Sequence, residues 1–306
     1  MSRVPEIVVV GSINADFIFN VPHLPLSNQT LMATHSQVAM GGKGLNQAIA
    51  AARAGAKVSM IGCVGDDSAG AQTLKTLKNN GVSVDHVCAI AGAPTGMASL
   101  VVGPDGQNMI TVAAGANAHL SVGDVTEAEG LIAGADMVLA QLETPLAAIE
   151  AAFRIARAHG VKTVLNPAPA DQAALSLFPL ADVVTPNETE LAGLSGITET
   201  DDRAMMAAFQ ALKAAGATHV VTTLGARGSL VLMDGTLVHR APYKVEAIDA
   251  TGAGDVFNGV LAFGLAQGRE LYEAMGLATA ASALSVLKPS ADSAPTREEI
   301  RAFSGL

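Results

Sequence analysis

Ile7-Val8-Val9-Val10-Gly11 is a run of β-branched residues that stops on a glycine. It offers no polar side to water, so it reads as a strand buried on both faces, the kind found inside a parallel sheet. Outward from this run, short apolar segments alternate with helical periodicity along most of the chain. Strands are predicted over 58–64, 137–141, 162–166, 182–185 and 219–223. Helices are predicted between them over 45–54, 69–79, 145–159, 188–194 and 202–215. Asp201 and Asp202 stand where a side-chain oxygen can cap the last of these. Strand–helix alternation with short connections implies a mainly parallel sheet covered by helices, a three-layer α/β/α domain.

Two stretches break the rhythm. Residues 20–40 carry Pro22 and Pro25 and then an extended run with no good helix. Residues 97–102 and 107–112 flank Gly103-Pro104-Asp105-Gly106, which reads as a hairpin turn. Together they form either a small separate sheet over one edge of the main domain or, for the second stretch alone, an ordinary surface hairpin. The C-terminal third reads as two adjacent helices rich in small residues, over 256–267 and 272–287. No internal repeat or charged linker divides residues 1–306, so one catalytic-size domain is expected.

Half of the 306 residues are hydrophobic and 15% are charged, enough apolar surface to build a large core. Much of that apolar content is alanine, which suits closely packed helices. The most apolar stretch, 274–287, is shorter than the ~20 residues a membrane-spanning helix needs. No secretory leader is read at the start, and two cysteines, Cys63 and Cys88, make neither a disulfide framework nor a zinc site. A reducing cytoplasm is the expected location. The formal net charge of −10, from 18 basic and 28 acidic residues, opposes a polyanion such as DNA. A small anion can still bind where backbone amides converge.

The strongest chemical cluster is Asp249-Ala250-Thr251-Gly252-Ala253-Gly254-Asp255-Val256-Phe257-Asn258-Gly259. Glycines expose consecutive N–H groups at a helix start, a natural anion site. Asp255 is either a first-turn acid that favours the helix or a general base beside that anion hole. In Gly41-Gly42-Lys43-Gly44-Leu45-Asn46-Gln47, the spacing is not that of a Walker phosphate loop. Its bare backbone either admits a polar ligand near Lys43 and Asn46 or is simply a glycine-rich helix entry. Asn14 and Asp16 follow the first strand, and Glu143 follows 137–141, where ligands of open α/β sheets bind. Asn187 and Glu190, one turn apart after 182–185, read as phosphate or Mg²⁺ contacts or as an N-cap. Thr223, Gly225 and Gly228 end a strand in a turn suited to a nucleotide or to nothing in particular. The seven histidines form no zincin pair, no G-x-S-x-G elbow occurs, and the first turn is not a G-x-G-x-x-G.

In this order, the motifs resemble those of the ribokinase-like carbohydrate kinases, the phosphofructokinase-B type. Gly41 to Ala48 resembles the family's N-terminal signature, and Asp249 to Gly259 its D-T-x-G-A-G-D-x-F-x-G signature. The likeness extends from Gly11 through Gly115-Ala116-Asn117, Asn166-Pro167-Ala168-Pro169-Ala170 and Asn187-Glu188-Thr189-Glu190 to Ser293. The resemblance implies an α/β/α domain with a β lid from about 15–42 and 96–112, which also supplies a homodimer interface. It implies ATP-dependent phosphorylation of a pentose such as D-ribose at its 5-hydroxymethyl. A kinase for deoxyribose, a nucleoside or a keto-sugar acid is one alternative, and a non-catalytic sugar-binding regulator another. By the same resemblance Asn14, Asp16, Gly42, Lys43, Asn46 and Glu143 hold the sugar. Asp255 is the base, Gly252, Ala253 and Gly254 form the anion hole, and Asn187, Thr223, Gly225 and Gly228 contact ATP. Glu190 helps order Mg²⁺, and Asp249, Thr251, Ser285, Lys288, Ser290 and Ser293 surround K⁺. Two features depart from the family. Ser290-Ala291-Asp292-Ser293 replaces a G-A-x-x-S loop, and Met40 and Leu45 replace an aromatic residue and an alanine beside the sugar.

Overall fold

A computed structural model describes residues 3–104, 107–288 and 294–305. Its strands are β1 (Glu6–Val10), β2 (Asn14–Asn20), β3 (His35–Gly41), β4 (Lys57–Gly65), β5 (Val82–Ile90), β6 (Gly96–Val102) and β7 (Asn108–Ala113), followed by β8 (Met137–Gln141), β9 (Lys162–Asn166), β10 (Val183–Val184), β11 (His219–Thr223), β12 (Ser229–Met233) and β13 (Thr236–Arg240). The helices are α1 (Lys43–Arg53), α2 (Ser68–Asn79), α3 (Val122–Glu127), α4 (Glu129–Ala133), α5 (Leu146–Ala158), α6 (Glu188–Ser195), α7 (Asp202–Ala214), α8 (Ala253–Ala266), α9 (Leu271–Ser285) and α10 (Arg297–Ser304).

β1 lies inside the main sheet, paired in parallel with β4 on one side and β8 on the other. Its side chains alternate between two cores. Ile7 and Val9 join α1, α8 and α9 on one face, whereas Val8 and Val10 join α5 and α7 on the other. The strand is therefore doubly buried, and the domain has three layers. Among the described residues the sheet runs β13-β12-β11-β10-β9-β8-β1-β4-β5.

The last two strands join by antiparallel pairs, at one end of a sheet that is mainly parallel as expected. They are joined by Asp234 and Gly235 with φ of 48° and 77°, the double positive φ of a tight hairpin turn. β5 is likewise an additional edge strand, in parallel with β4.

The alanine content finds its use where α8 crosses α1. A methyl group at Gly259 would stand 2.5 Å from the Gln47 carbonyl oxygen, so the two backbones approach as only glycine permits. That contact packs the middle of α8 against α1, with Asp255 one turn earlier on α8.

Residues 14–20, 35–41, 96–102 and 108–113 form a second sheet in the order β3-β2-β6-β7. It is mixed, with β2 and β6 parallel and the two outer pairs antiparallel. Asn14 and Asp16 thus belong to this sheet's first strand, not to a loop at the end of β1. Gly103 N–H donates to the Gln107 carbonyl at 2.8 Å across the hairpin, whose turn residues Asp105 and Gly106 lie outside the described residues. The inner face carries Asp16, Ile18, Ala98 and Leu100, the last three in a small core of their own.

Candidate active site

Asp255 sits in the first turn of α8 and is buried at 8% exposure. Its carboxylate does not cap its own helix, whose N-terminus has no side-chain cap. It reaches across to α1 instead. Asn46 Nδ2 donates to Oδ2 and Gln47 Nε2 donates to Oδ1, each at 3.0 Å. Asp255 is a first-turn acid of α8, as the helix favours, but its carboxylate makes no cap and is aimed by another element. Before it, Gly252 takes a left-handed φ of 76°, which turns the chain into the helix. The amides of Gly254 and Asp255 fall in the first turn, where no intrahelical carbonyl reaches them. Carboxylate and anion-binding amides thus share one helix tip.

Charge gathers around Lys43, at the entry of α1. Its pKa is raised, first by the charge of Asp255 against the cost of burial, and further by Glu143, Glu190 and Asp16. Asp16 is pushed up to about 7, by burial first and then by Glu143 and Asp255, with Lys43 opposing. Asp16 Oδ1 is buried without a hydrogen-bond partner, an acceptor suited to a polar ligand. Glu143 Oε2 accepts from the Ser12 hydroxyl at 2.5 Å and from Lys43 N–H at 3.2 Å. Asn14 Oδ1 accepts from Asn117 Nδ2 at 2.8 Å, and Asn117 Oδ1 accepts from Ile13 N–H at 2.9 Å. Two β strands and one helix entry therefore present fixed polar groups to one space.

That space is a cleft of about 610 Å³ lined by Asn14, Lys43, Asn117, Glu143 and Glu190, with Ile110 and Val112 of the second sheet above. Asp16, Asn46, Thr251 and Gly252 line an adjoining hollow of about 160 Å³, together with Met40 and Leu45. On the other side of the turn, Thr223, Gly225, Gly228, Ala253, Gly254 and Tyr243 line a third cleft of about 470 Å³. The turn from Gly252 to Gly254 is the seam between the two regions.

Asn187 and Glu190 form a reciprocal capping box on α6, each side chain accepting the other's backbone N–H at 2.8 Å. Glu190 still faces the Lys43 side, with its pKa raised chiefly by burial. It lines the cleft of Asn14 and Lys43, apart from Thr223, Gly225 and Gly228. Asn187 meets Thr223 through a parallel bridge.

The residues expected around a monovalent cation are only partly gathered. Asp249 Oδ1 accepts from Thr251 N–H at 2.8 Å, and the amides of Ile248 and Asp249 both donate to the Val286 carbonyl. Ser285 is buried with its hydroxyl turned to the Ser282 carbonyl, and the Lys288 ammonium binds Glu299 at 2.8 Å. Ser290 and Ser293 lie outside the described residues. Among the described residues no three His, Cys, Asp or Glu side chains form a metal cage.

The reading of the sequence missed Gln47 as a partner of Asp255, and with it Gln141, Asn166, Thr185 and Asn258. Each is a buried polar side chain. Gln47, Asn166 and Asn258 stood inside the quoted motifs, but nothing in a single sequence separates an inward amide from an exposed one.

The chain matches the model of the pfkB family carbohydrate kinases over residues 4–297. A ribokinase of Haemophilus influenzae is 43% identical over 302 residues, covering 97% of each chain. One of Staphylococcus aureus is 39% identical, covering 96% of this chain and 98% of the other. The structure of an Arabidopsis thaliana ribokinase complexed with ribose and ATP superimposes with a TM-score of 0.87 at 30% identity, covering 99% of this chain and 100% of that one. With a buried carboxylate beside a glycine turn that separates two clefts, and relatives matched end to end, this chain belongs to the pfkB family of carbohydrate kinases.

Proposed function

We propose that this kinase transfers the γ-phosphoryl group of ATP to the 5-hydroxymethyl of D-ribose, giving ribose 5-phosphate. The observation that carries the reading is the buried Asp255 carboxylate, held by two side-chain amides and following directly on the turn whose residues line a cleft on either side.

Asn14, Asp16, Gly42, Lys43, Asn46 and Glu143 hold the sugar hydroxyls, and their fixed directions suit a polyol. Asp255 accepts the proton of the attacking hydroxyl as the oxygen–phosphorus bond forms. The amides of Gly252 and Gly254 take the charge on the moving phosphoryl group, and the Ala253 amide joins them by leaving the Ala250 carbonyl, to which it donates at 3.2 Å. Thr223, Gly225 and Gly228, with Asn187, face the nucleotide, and Lys43 balances the carboxylates around the reacting oxygens.

Mg²⁺ fits as an ion that enters with the nucleotide, because it keeps its waters and needs few protein oxygens. Glu190 would hold its water shell, and the ion supplies neutralisation of phosphate charge. The oxygen donors Asp249, Thr251, Ser285, Ser290 and Ser293 suit K⁺, with Lys288 contributing through its carbonyl because its ammonium is engaged.

The second sheet acts as a lid over the sugar and as the seam of a homodimer. Its outer face exposes Phe17, Val38 and Met97 at 37%, 56% and 39%, an apolar surface that a second copy would cover. The enzyme works in the cytoplasm: Cys63 and Cys88 are free thiols although they face each other on β4 and β5. No helix among the described residues is long and apolar enough to cross a membrane.

ADP release measured across a panel of sugars, with and without K⁺, tests the assignment. Ribose should give the highest kcat/KM; a preference for deoxyribose, a nucleoside or a keto-sugar acid would replace ribose as substrate. A lack of any K⁺ effect would remove the cation alone.

A further inference from the structure

Gln47 lies on α1 with its side chain fully buried. Its Nε2 donates to Asp255 Oδ1 and to Asn166 Oδ1, both at 3.0 Å, and its Oε1 accepts from Gln141 Nε2 at 2.7 Å. The orientation of this amide is determined. Reversed, it would set its oxygen against two other oxygens and its nitrogen against the Gln141 NH₂. From Asn166 the connection continues: Nδ2 donates to the Thr185 carbonyl at 3.1 Å. The Thr185 hydroxyl donates to Asn258 Oδ1. Asn258 Nδ2 donates to the Gly254 carbonyl at 2.9 Å. The open end is Gln141 Oε1, buried without a partner.

Buried polar side chains are costly where apolar ones would pack as well, so five of them joined between a sheet and one helix tip call for a reason. The circuit begins at the Asp255 carboxylate, crosses the ends of β9 and β10, and returns to the carbonyl of the anion-binding turn. We propose that Gln47 is the positioning residue of Asp255, and that this amide circuit locks base and anion hole into one body on the rigid ends of the sheet. The inference rests on Asp255 as the base. A base must be held within a few tenths of an ångström of its proton donor, and without Gln47 the carboxylate would be held at one oxygen only, by Asn46, and could pivot there.

Gln47→Met keeps the volume and removes the amide. Turnover should fall about 10–100-fold, the scale at which the hydrogen-bond partner of a functional group is felt. The ribose KM should stay within about threefold, because the sugar's own contacts are untouched. Gln47→Glu sets a second carboxyl against Asp255, so the two share a proton and the acid limb of kcat should move to higher pH. Lys43, Asp16 and Glu190 are the other charged groups that act on Asp255, and neither variant alters them.

Wild-type turnover in Gln47→Met, or an unmoved acid limb in Gln47→Glu, overturns the proposal. If Gln47→Met does not fold, Gln141→Met, which frees the far end of the Gln47 amide, must show the same kcat-against-KM split or the proposal fails. Asp255→Asn is measured alongside. Retained turnover there sinks the base itself; an inactive Asp255→Asn beside a normal Gln47→Met sinks only the positioning role.

Discussion

Asp16 shows what a crowded site does to a single carboxyl. Burial first, then Glu143 and Asp255, push it up to about 7. A group whose folded value stands above its unfolded value contributes stability that is complete below the ordinary carboxylate range and is lost as pH rises through the folded value. From about pH 5 to about pH 8.5 the melting temperature of the wild type should therefore fall relative to Asp16→Asn, and parallel curves would contradict this. The same variant should raise the ribose KM by about 10–100-fold if Asp16 holds a sugar hydroxyl as proposed, since an NH₂ donor replaces one of its two acceptor oxygens. Lys43, Asn46, Glu143 and Asp255 could be picked out from sequence because glycines or strand ends flank them. Gln47, Asn166 and Asn258 could not be given their roles, since their work depends on what faces them across 73 to 208 positions of chain, and periodicity reports only nearest neighbours.

Elements decide whether those residues meet. α1 and α8 touch through Gly259, so an added methyl must push the Gln47 carbonyl away. Gly259→Ala should cost about 1–3 kcal/mol in stability. It should also lower kcat, because the shift separates Asn46 and Gln47 from Asp255; a destabilised variant with full turnover per folded molecule would contradict the coupling. The long buried strands could be read from sequence, with 137–141, 162–166 and 219–223 matching β8, β9 and β11 to the residue. Apolar runs bounded by glycine or polar residues leave little choice of ends. β12 and β13 went unread although Asp234-Gly235 is a strong hairpin signal: β13, at the sheet edge, mixes polar and apolar residues, whereas the apolar run Ser229–Met233 of β12 was simply passed over. Asn14 and Asp16 were assigned to a strand end for a related reason: the chain leaves β1 and enters another sheet within three residues, and no glycine- or proline-rich spacer marks the change.

At the scale of the molecule, the sheet we propose as the lid is also the one whose outer face exposes Phe17, Val38 and Met97. Val38 is 56% exposed on the outer side, away from the cleft. Val38→Asp should convert a dimer to a monomer in light scattering while leaving the fold of the main domain intact; an unchanged mass would place the partner surface elsewhere or remove it. The architecture was readable because burial patterns follow hydrophobicity, whereas assembly leaves only a few exposed apolar residues. The account as a whole depends on Asp255 as a proton acceptor beside the amides of its own helix. The most direct test is ribose-dependent ADP release by folded Asp255→Asn, which keeps the shape and removes the basic oxygen. Turnover should fall by about 10²–10⁴-fold, the usual contribution of a placed general base; turnover within a few-fold of the wild type would contradict the mechanism.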